Sequence, residues 1–517
     1  MATTRRLHIQ PPDAPAIADG VAAIKREQGL PTAFPSEVEA VAARAATTPR
    51  MPELDRTDIA FVTIDPPGSM DLDQAVFIER NGTGFRVIYA IADVAAFVTP
   101  GDAVDIEANV RGETLYGADA KIPLHPPVLS EGAASLLPDQ VRPALVWTMD
   151  VDASGQCTAA DVRRARVRSR ARLDYAAVQA SIDAGQADPM WEVLRAFGEL
   201  RKQRGRDRGG VSLPLPEQEV SVEEGRWLLE FRARKPVEDW NEQVSLLTGM
   251  AAADIMLKGK VGLLRTLPKP EPWAIDRLRR TAKALGIAWP PAQSYPLFID
   301  SLDPTQPRNV AMMVAATTVL RGAGYVAFDG AVPEQPMHWG LAAEYAHATA
   351  PLRRLVDRYV GETCLALCAG QAVPAWVLAA LPGLPATMSA ADRRASRFEH
   401  AVLDLAETID PGRSAALLVR GPRTDEEAAV VDRIVRLGRG AGHLRFRHGV
   451  DLHCQHAGDG GAGVDGGREP VRGPALRRGG ESPATFPFAA FPAKGALENA
   501  HTRRICMAKE ELLEMRG

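Results

Sequence analysis

TIDPPGSMDLDQA, residues 63–75, sets three aspartates, Asp65, Asp71 and Asp73, around a Pro-Pro-Gly turn directly behind an apolar run. The run itself, DIAFVTID (58–65), is rich in β-branched residues and reads as a strand. DLDQAVFIER (71–80) reads as a second strand and GFRVIYAIADVAAFV (84–98) as a third, with Asn81-Gly82 as the turn between them. On this reading Asp65 closes the first strand, and Asp71 and Asp73, two apart in the second, point to one side. Carboxylates held so close repel one another, so the cluster needs a compensating charge. Three of them on one side of a turn make a good cage for a hard divalent cation such as Mg²⁺, which prefers oxygen ligands and leaves positions for water and phosphate. A paired-metal site of that kind activates a phosphodiester for in-line attack. The same three acids, taken alone, also describe a solvated turn. An EF-hand is excluded, because the D-x-D-x-D-G spacing and the distal glutamate are absent.

The bulk numbers frame this cluster. A chain of 517 residues with 46% hydrophobic and 24% charged residues can bury a large core, and disorder of the whole chain is excluded. MATTRRLHIQPPDA carries no apolar stretch of the secretory type, and the longest apolar runs, such as VAMMVAATTVL (310–320), are too short to span a bilayer. Five cysteines over such a length fit a reducing compartment, and the expectation is a cytoplasmic protein without membrane contact. Cys364 and Cys368 share a helical face, yet no second pair with ligand spacing follows, so they read as structural thiols. The net charge of −4 neither favours nor excludes nucleic acid. Local basic runs bear on that more directly: in DVRRARVRSRARLDY, Arg164, Arg166, Arg168, Arg170 and Arg172 alternate with small or apolar residues, and RKQRGRDR follows at 201–208. Both are basic stripes or solvated faces.

Three regions emerge along the chain. Residues 1–54 form a helical extension, with helix formers in AIADGVAAIKREQG and SEVEAVAARAA. Residues 55–408 combine the strands above with helices expected at 174–205, 237–262, 273–286, 307–322 and 351–369. The simplest architecture is α+β, a mixed sheet or partial barrel flanked by helices. Residues 409–517 change texture: 17 of the 44 glycines lie beyond 409, and the stretch reads as either a degenerate OB-type barrel or disordered chain.

FVTIDPPGSMDLDQA resembles the active-site signature of the ribonuclease II/R (RNB) exoribonucleases, whose usual form is close to TID-x-x-x-(S/T)-x-D-x-D-D-A. YAIADVAAFV, TLYGADAKIPLHPPVLSE, SLLPD, RARLDYAAV, NEQVSLLTGMAAA and HWGLAAEYAHATAPLRRLVDRYV follow in the family's order, over roughly residues 55–405. The resemblance implies an RNB-type catalytic domain that hydrolyses single-stranded RNA from the 3′ end to nucleoside 5′-monophosphates with Mg²⁺, or with Mn²⁺ as the alternative; the sequence leaves the oligomeric state open, with a monomer as the favoured expectation. It implies that Asp65 and Asp71 hold metal, while Asp73 positions metal and the attacking water. Gln74 stands where the family usually has Asp; its amide oxygen can still meet metal, at the loss of one negative charge. Arg353, in YAHATAPLRRLVDRY, matches the arginine at the scissile phosphate, with Arg354, Arg358 and His347 as backbone contacts and Ala350 where the family prefers Ser. Tyr116 matches the tyrosine that stacks on the terminal base, Glu399 a glutamate near the same pocket, and Asn241-Glu242 the start of a helix along the RNA channel. Without the resemblance, the arginines read more readily as a solvated helix face with Asp357 as partner.

The family commonly carries cold-shock-type barrels before its signature, and residues 1–54 are too few for one. That predicts weak, poorly processive binding and poor use of structured RNA. Gln74 keeps open a catalytically impaired RNA-binding or scaffold protein, and a phosphodiesterase acting on DNA or short oligonucleotides is a further alternative.

Overall fold

The computed structural model describes residues 5–409 apart from 9–13, 118–120, 214–216, 224–225, 233 and 305. The glycine-rich stretch, from residue 410 on, lies outside the described residues.

Five strands close a barrel: Phe61–Asp65, Gln74–Asn81, Gly84–Ala92, Val141–Val151 and Cys157–Asp174 are hydrogen-bonded in that order. Neighbours run antiparallel until the last strand returns alongside the first in parallel, pairing Asp174 with Asp65. Closure removes the sheet edges that a partial barrel would have left. The three strands expected from the sequence are the first three of this barrel, and Gly82 takes the left-handed turn between the second and third.

Period-two alternation explains why the barrel is buried on both faces. In Gly84–Ala92, Val87, Tyr89 and Ile91 join one core cluster, while Ile88, Ala90 and Ala92 join another. The first cluster also takes residues of the helices Pro189–Asp207, Pro236–Gly259 and Leu355–Cys368; the second takes Val38 and Ala42 of Ser36–Thr47 and Leu129 of the turn Val128–Ala133. A third, separate cluster joins the helices Pro272–Ala284, Tyr295–Asp300 and Pro307–Ala316. The architecture is α+β, a barrel flanked by helices.

Several helices differ from the expectation, for local reasons. The span 174–205 is two helices, Tyr175–Asp183 and Pro189–Asp207, because Gly185 is left-handed and Asp188 caps a new start with Pro189 in its first turn. The span 237–262 starts at Pro236 and ends at Gly259, where Lys260 turns left-handed into the strand Val261–Thr266. Asn241 and Glu242 therefore sit past the first turn, not at the helix start. The span 351–369 begins only at Leu355, which leaves Arg353 in a turn. Helices Ala14–Glu27 and Ser36–Thr47 form within 1–54, and Leu384–Ile409 packs on the first of them. Among the described residues no helix is long and apolar enough to cross a membrane.

Candidate active site

The acid cluster is built on an arm rather than inside a strand. Asp65 ends its strand, Gly68 is left-handed (φ 82°), and the next strand begins only at Gln74, so Asp71 and Asp73 precede it. The reason lies in the 135–136 loop. Leu72 N–H donates to Ser135 Oγ at 3.0 Å, Ser135 Oγ donates to Met70 O at 2.6 Å, and Leu136 N–H donates to Leu72 O at 3.0 Å. These bonds replace a strand ladder but keep the chain extended. Leu72 is fully buried between the two acids, and alternation still sends Asp71 and Asp73 to a common side.

A second segment from far along the chain meets this arm. Residues 345–354 thread between the helix Pro236–Gly259, where Ala346 N–H donates to Gly249 O at 3.1 Å, and the acid arm. Gly249 permits that approach, since a Cβ there would stand 2.1 Å from the Tyr345 ring. Leu352 N–H donates to one oxygen of Asp73 at 2.7 Å, and Arg353 Nε donates to the other at 3.2 Å. Asp357 fixes the turn from below: it accepts Ala350 N–H at 2.7 Å and both nitrogens of the Arg354 fork. His125, in the KIPLHPP run, adds a bond to the backbone of Pro351, and burial pushes its imidazole down to a pKa of about 3, so it is neutral.

The electrostatics explain what the site can bind. Burial pushes the Asp65 carboxyl up to about 6, with Arg353 opposing and Asp71 adding repulsion. Burial pushes Asp73 up to about 8, opposed by Arg353 and by the Leu352 N–H, with Asp71 and Asp357 adding to the rise. Two carboxyls whose ionised forms are disfavoured, beside a third, are a donor set that a divalent cation would stabilise, and all their donors are oxygens, as Mg²⁺ and Mn²⁺ require. Among the described residues no three acid, thiol or imidazole groups stand together as a ready-made cage. Protein cations meet the acids instead: Arg353 on Asp73, and Lys121 Nζ on Asp71 at 2.8 Å. Asp65, Asp71, Asp73 and Arg353 nevertheless share one electrostatic neighbourhood.

The remaining predicted residues divide. Tyr116, 38% exposed, shares a hydrogen bond with Arg353, whose own side chain is 49% exposed. Gln74 faces inward at the first residue of its strand: Nε2 donates to Thr349 O, and Oε1 accepts from Tyr89 Oη at 2.9 Å. Glu399 lies on the helix Leu384–Ile409, whose Ala395, Phe398 and Val402 pack against Leu115 beside Tyr116. The structure does not bring the other basic candidates to the opening. His347 is buried and its Nδ1 is 2.7 Å from Tyr325 Oη, with burial pushing it to the neutral form. Arg358 is buried against Asp105 at 2.6 Å, and Arg354 is committed to Asp357. The arginine stripe alternates as expected but is largely tied down: Arg164 bridges Asp93 and Glu362, Arg166 meets Asp55, and Arg170 and Arg172 donate to Thr57 O and Ser69 O. Cys364 is buried, Cys368 half-buried, and both are free thiols. Sequence reasoning missed Lys121, which its ion pair with Asp71 brings to the site, and Tyr175, which lies within electrostatic reach of Asp65. No local pattern marks either.

Comparison with known proteins agrees with this geometry. A family model described as RNB domain matches residues 54–367. Ribonuclease R of Escherichia coli is 32% identical over 320 residues, covering 59% of this chain and 39% of that protein. Exosome complex exonuclease RRP44 homolog A of Arabidopsis thaliana is 30% identical over 397 residues, covering 73% of this chain and 41% of that protein. The chain thus spans about two-fifths of the length of these relatives. Among solved structures, Mycoplasma genitalium RNase R in complex with ribose-methylated single-stranded RNA superposes with a TM-score of 0.65 at 20% identity, covering 78% of this chain and 65% of that one. The yeast pseudonuclease Ssd1 superposes with a TM-score of 0.56 at 15% identity, covering 76% of this chain and 50% of that one. Since the matched segment takes in more than half of the sequence and contains the acid arm and the Arg353 turn alike, the chain belongs to the RNB-domain family.

Proposed function

We propose that this chain is a metal-dependent exoribonuclease that shortens single-stranded RNA from the 3′ end and releases nucleoside 5′-monophosphates. The observation that carries the reading is the closure of Asp73 by Leu352 N–H and Arg353 Nε, across 279 and 280 residues of sequence. Asp65, Asp71 and Asp73 would hold Mg²⁺, or Mn²⁺, with the Gln74 amide oxygen, which already accepts from Tyr89 Oη, as a further candidate donor. The ion supplies Lewis acidity toward the phosphodiester.

The protein groups do the rest. Asp73, with Oδ1 on the Leu352 N–H, would orient the attacking water through the remaining lone pair of Oδ2, which also accepts from Arg353 Nε. Arg353 offers its exposed fork to the scissile phosphate and stabilises the charge that grows there. Tyr116, beside it, stacks on the terminal base, a contact that tolerates every nucleotide. Arg354, His347 and Glu399 support this pocket from behind rather than at the strand itself. Free thiols among the described cysteines fit a reducing, cytoplasmic setting.

A second reading, a silent RNA-binding protein, is favoured by one specific feature: both atoms of the Gln74 amide are engaged, on Tyr89 and Thr349. Incubation of 5′-labelled oligoribonucleotide with Mg²⁺ or Mn²⁺ separates the two. The enzyme gives a descending ladder of labelled chains, and unlabelled nucleoside monophosphates resolved by chromatography, that the Asp73→Asn variant does not give; the binder retains RNA of unchanged length.

A further inference from the structure

Lys121 has no part in the function proposed above, yet it reaches into the acid cluster. It lies on the short strand Lys121–Ile122, directly opposite Tyr116 in the paired strand Leu115–Tyr116. Its Nζ is 2.8 Å from Asp71 Oδ1 and 2.9 Å from Glu131 Oε1, and all three side chains are largely sheltered, with 26%, 14% and 30% exposed. The ammonium is thus held in place by two carboxylates at once.

Charge balance then limits what else the site can take. Once a bound cation has ionised them all, Asp65, Asp71, Asp73 and Glu131 carry four negative charges, and Lys121 and Arg353 return two. One divalent ion brings the cluster to neutrality; a second would overshoot it. Position 74 offers an amide whose atoms already have partners, not a further carboxylate. An ammonium in contact with Asp71 also repels any ion that would share that oxygen.

We propose that Lys121 is a resident cation that withholds Asp71 from the metal, so that Asp65 and Asp73 take a single divalent ion. This rests on the reading that the acid arm binds a divalent ion at all, and it sharpens the role of Asp71: that carboxylate joins the ion only when Lys121 lets go. It also gives the site a compensation for the missing acid at position 74, because the cluster balances with fewer carboxylates and fewer ions.

Mn²⁺ binding to the purified full-length chain, counted by the paramagnetic resonance of free Mn²⁺, tests it without any RNA. The wild type is expected to bind one tight equivalent. Lys121→Met is expected to gain a second equivalent or to tighten binding by about tenfold or more, and adding Asp71→Asn to it should return the wild-type behaviour. Lys121→Arg, which keeps the charge, should bind as the wild type does. Should Lys121→Met fold poorly, Asp71→Asn alone decides: affinity within about threefold of wild type supports the proposal, and a loss of about tenfold or more, as expected for a true ligand, overturns it. Identical stoichiometry and affinity in wild type and Lys121→Met would also overturn it while leaving the proposed function standing. No bound Mn²⁺ in any of these proteins would overturn both.

Discussion

Of the three arginines in LRRLVDR, Arg353 alone is exposed; Arg354 is anchored to Asp357 and Arg358 is buried against Asp105. The turn thus spends two guanidinium groups on holding itself and presents the third. A lysine at 353 keeps the charge but loses the planar fork, so Arg353→Lys should lower kcat/KM on a short oligoribonucleotide by about 100-fold, or ~2.7 kcal/mol of transition-state stabilisation. Single-turnover cleavage rates measure this. His125 supports the same turn and titrates abnormally: its pKa is about 3 in the folded chain against an ordinary 6.5. The unfolded chain therefore binds a proton that the folded chain refuses between those values. Stability from this group is complete above pH 6.5 and is lost as the pH falls towards 3. Thermal melts between pH 7 and pH 5 should show a steeper decline for wild type than for His125→Gln.

At the level of elements, two close approaches hold the site together. A methyl group at 249 would collide with the Tyr345 ring and with Ala346 O at 2.5 Å, so Gly249→Ala should cost about 1–3 kcal/mol in chemical denaturation, by pushing the 345–354 segment off its helix. Arg164 ties the last barrel strand to the helix Leu355–Cys368 through Asp93 and Glu362, both nearly buried. Arg164→Met leaves two buried acids facing each other and should destabilise by about 3 kcal/mol. Much of the strand framework was legible because β-branched runs and an Asn-Gly turn are local signals. The break at 184–189 was also written in the sequence, as Gly185 and Asp188-Pro189, but the helical periodicity on both sides masked it. Asp71 and Asp73 were set in a strand that begins only at Gln74, since the bonds that hold their arm come from Ser135 and Leu136, some 60 residues on. Lys121 was illegible for the same reason: its partner Asp71 is 50 residues away and leaves no periodic trace.

For the molecule as a whole, the two faces of the barrel build the two largest cores together with the helices around it, whereas Pro272–Ala284, Tyr295–Asp300 and Pro307–Ala316 bury their apolar faces in a core of their own. Elements with a separate core open separately. Hydrogen exchange should therefore be slowest at the amides of Gly84–Ala92 and Val141–Val151, and several orders of magnitude faster in the 272–316 helices; uniform protection across both would contradict this. The contact between Asp73 and Arg353 joins residues 280 apart, and loops of that size close late. During synthesis the acid arm leaves the ribosome long before its guanidinium partner exists. A growing polypeptide therefore carries Asp73 without its Arg353 partner until the distant turn has emerged, so the acid arm stays half-assembled through most of synthesis.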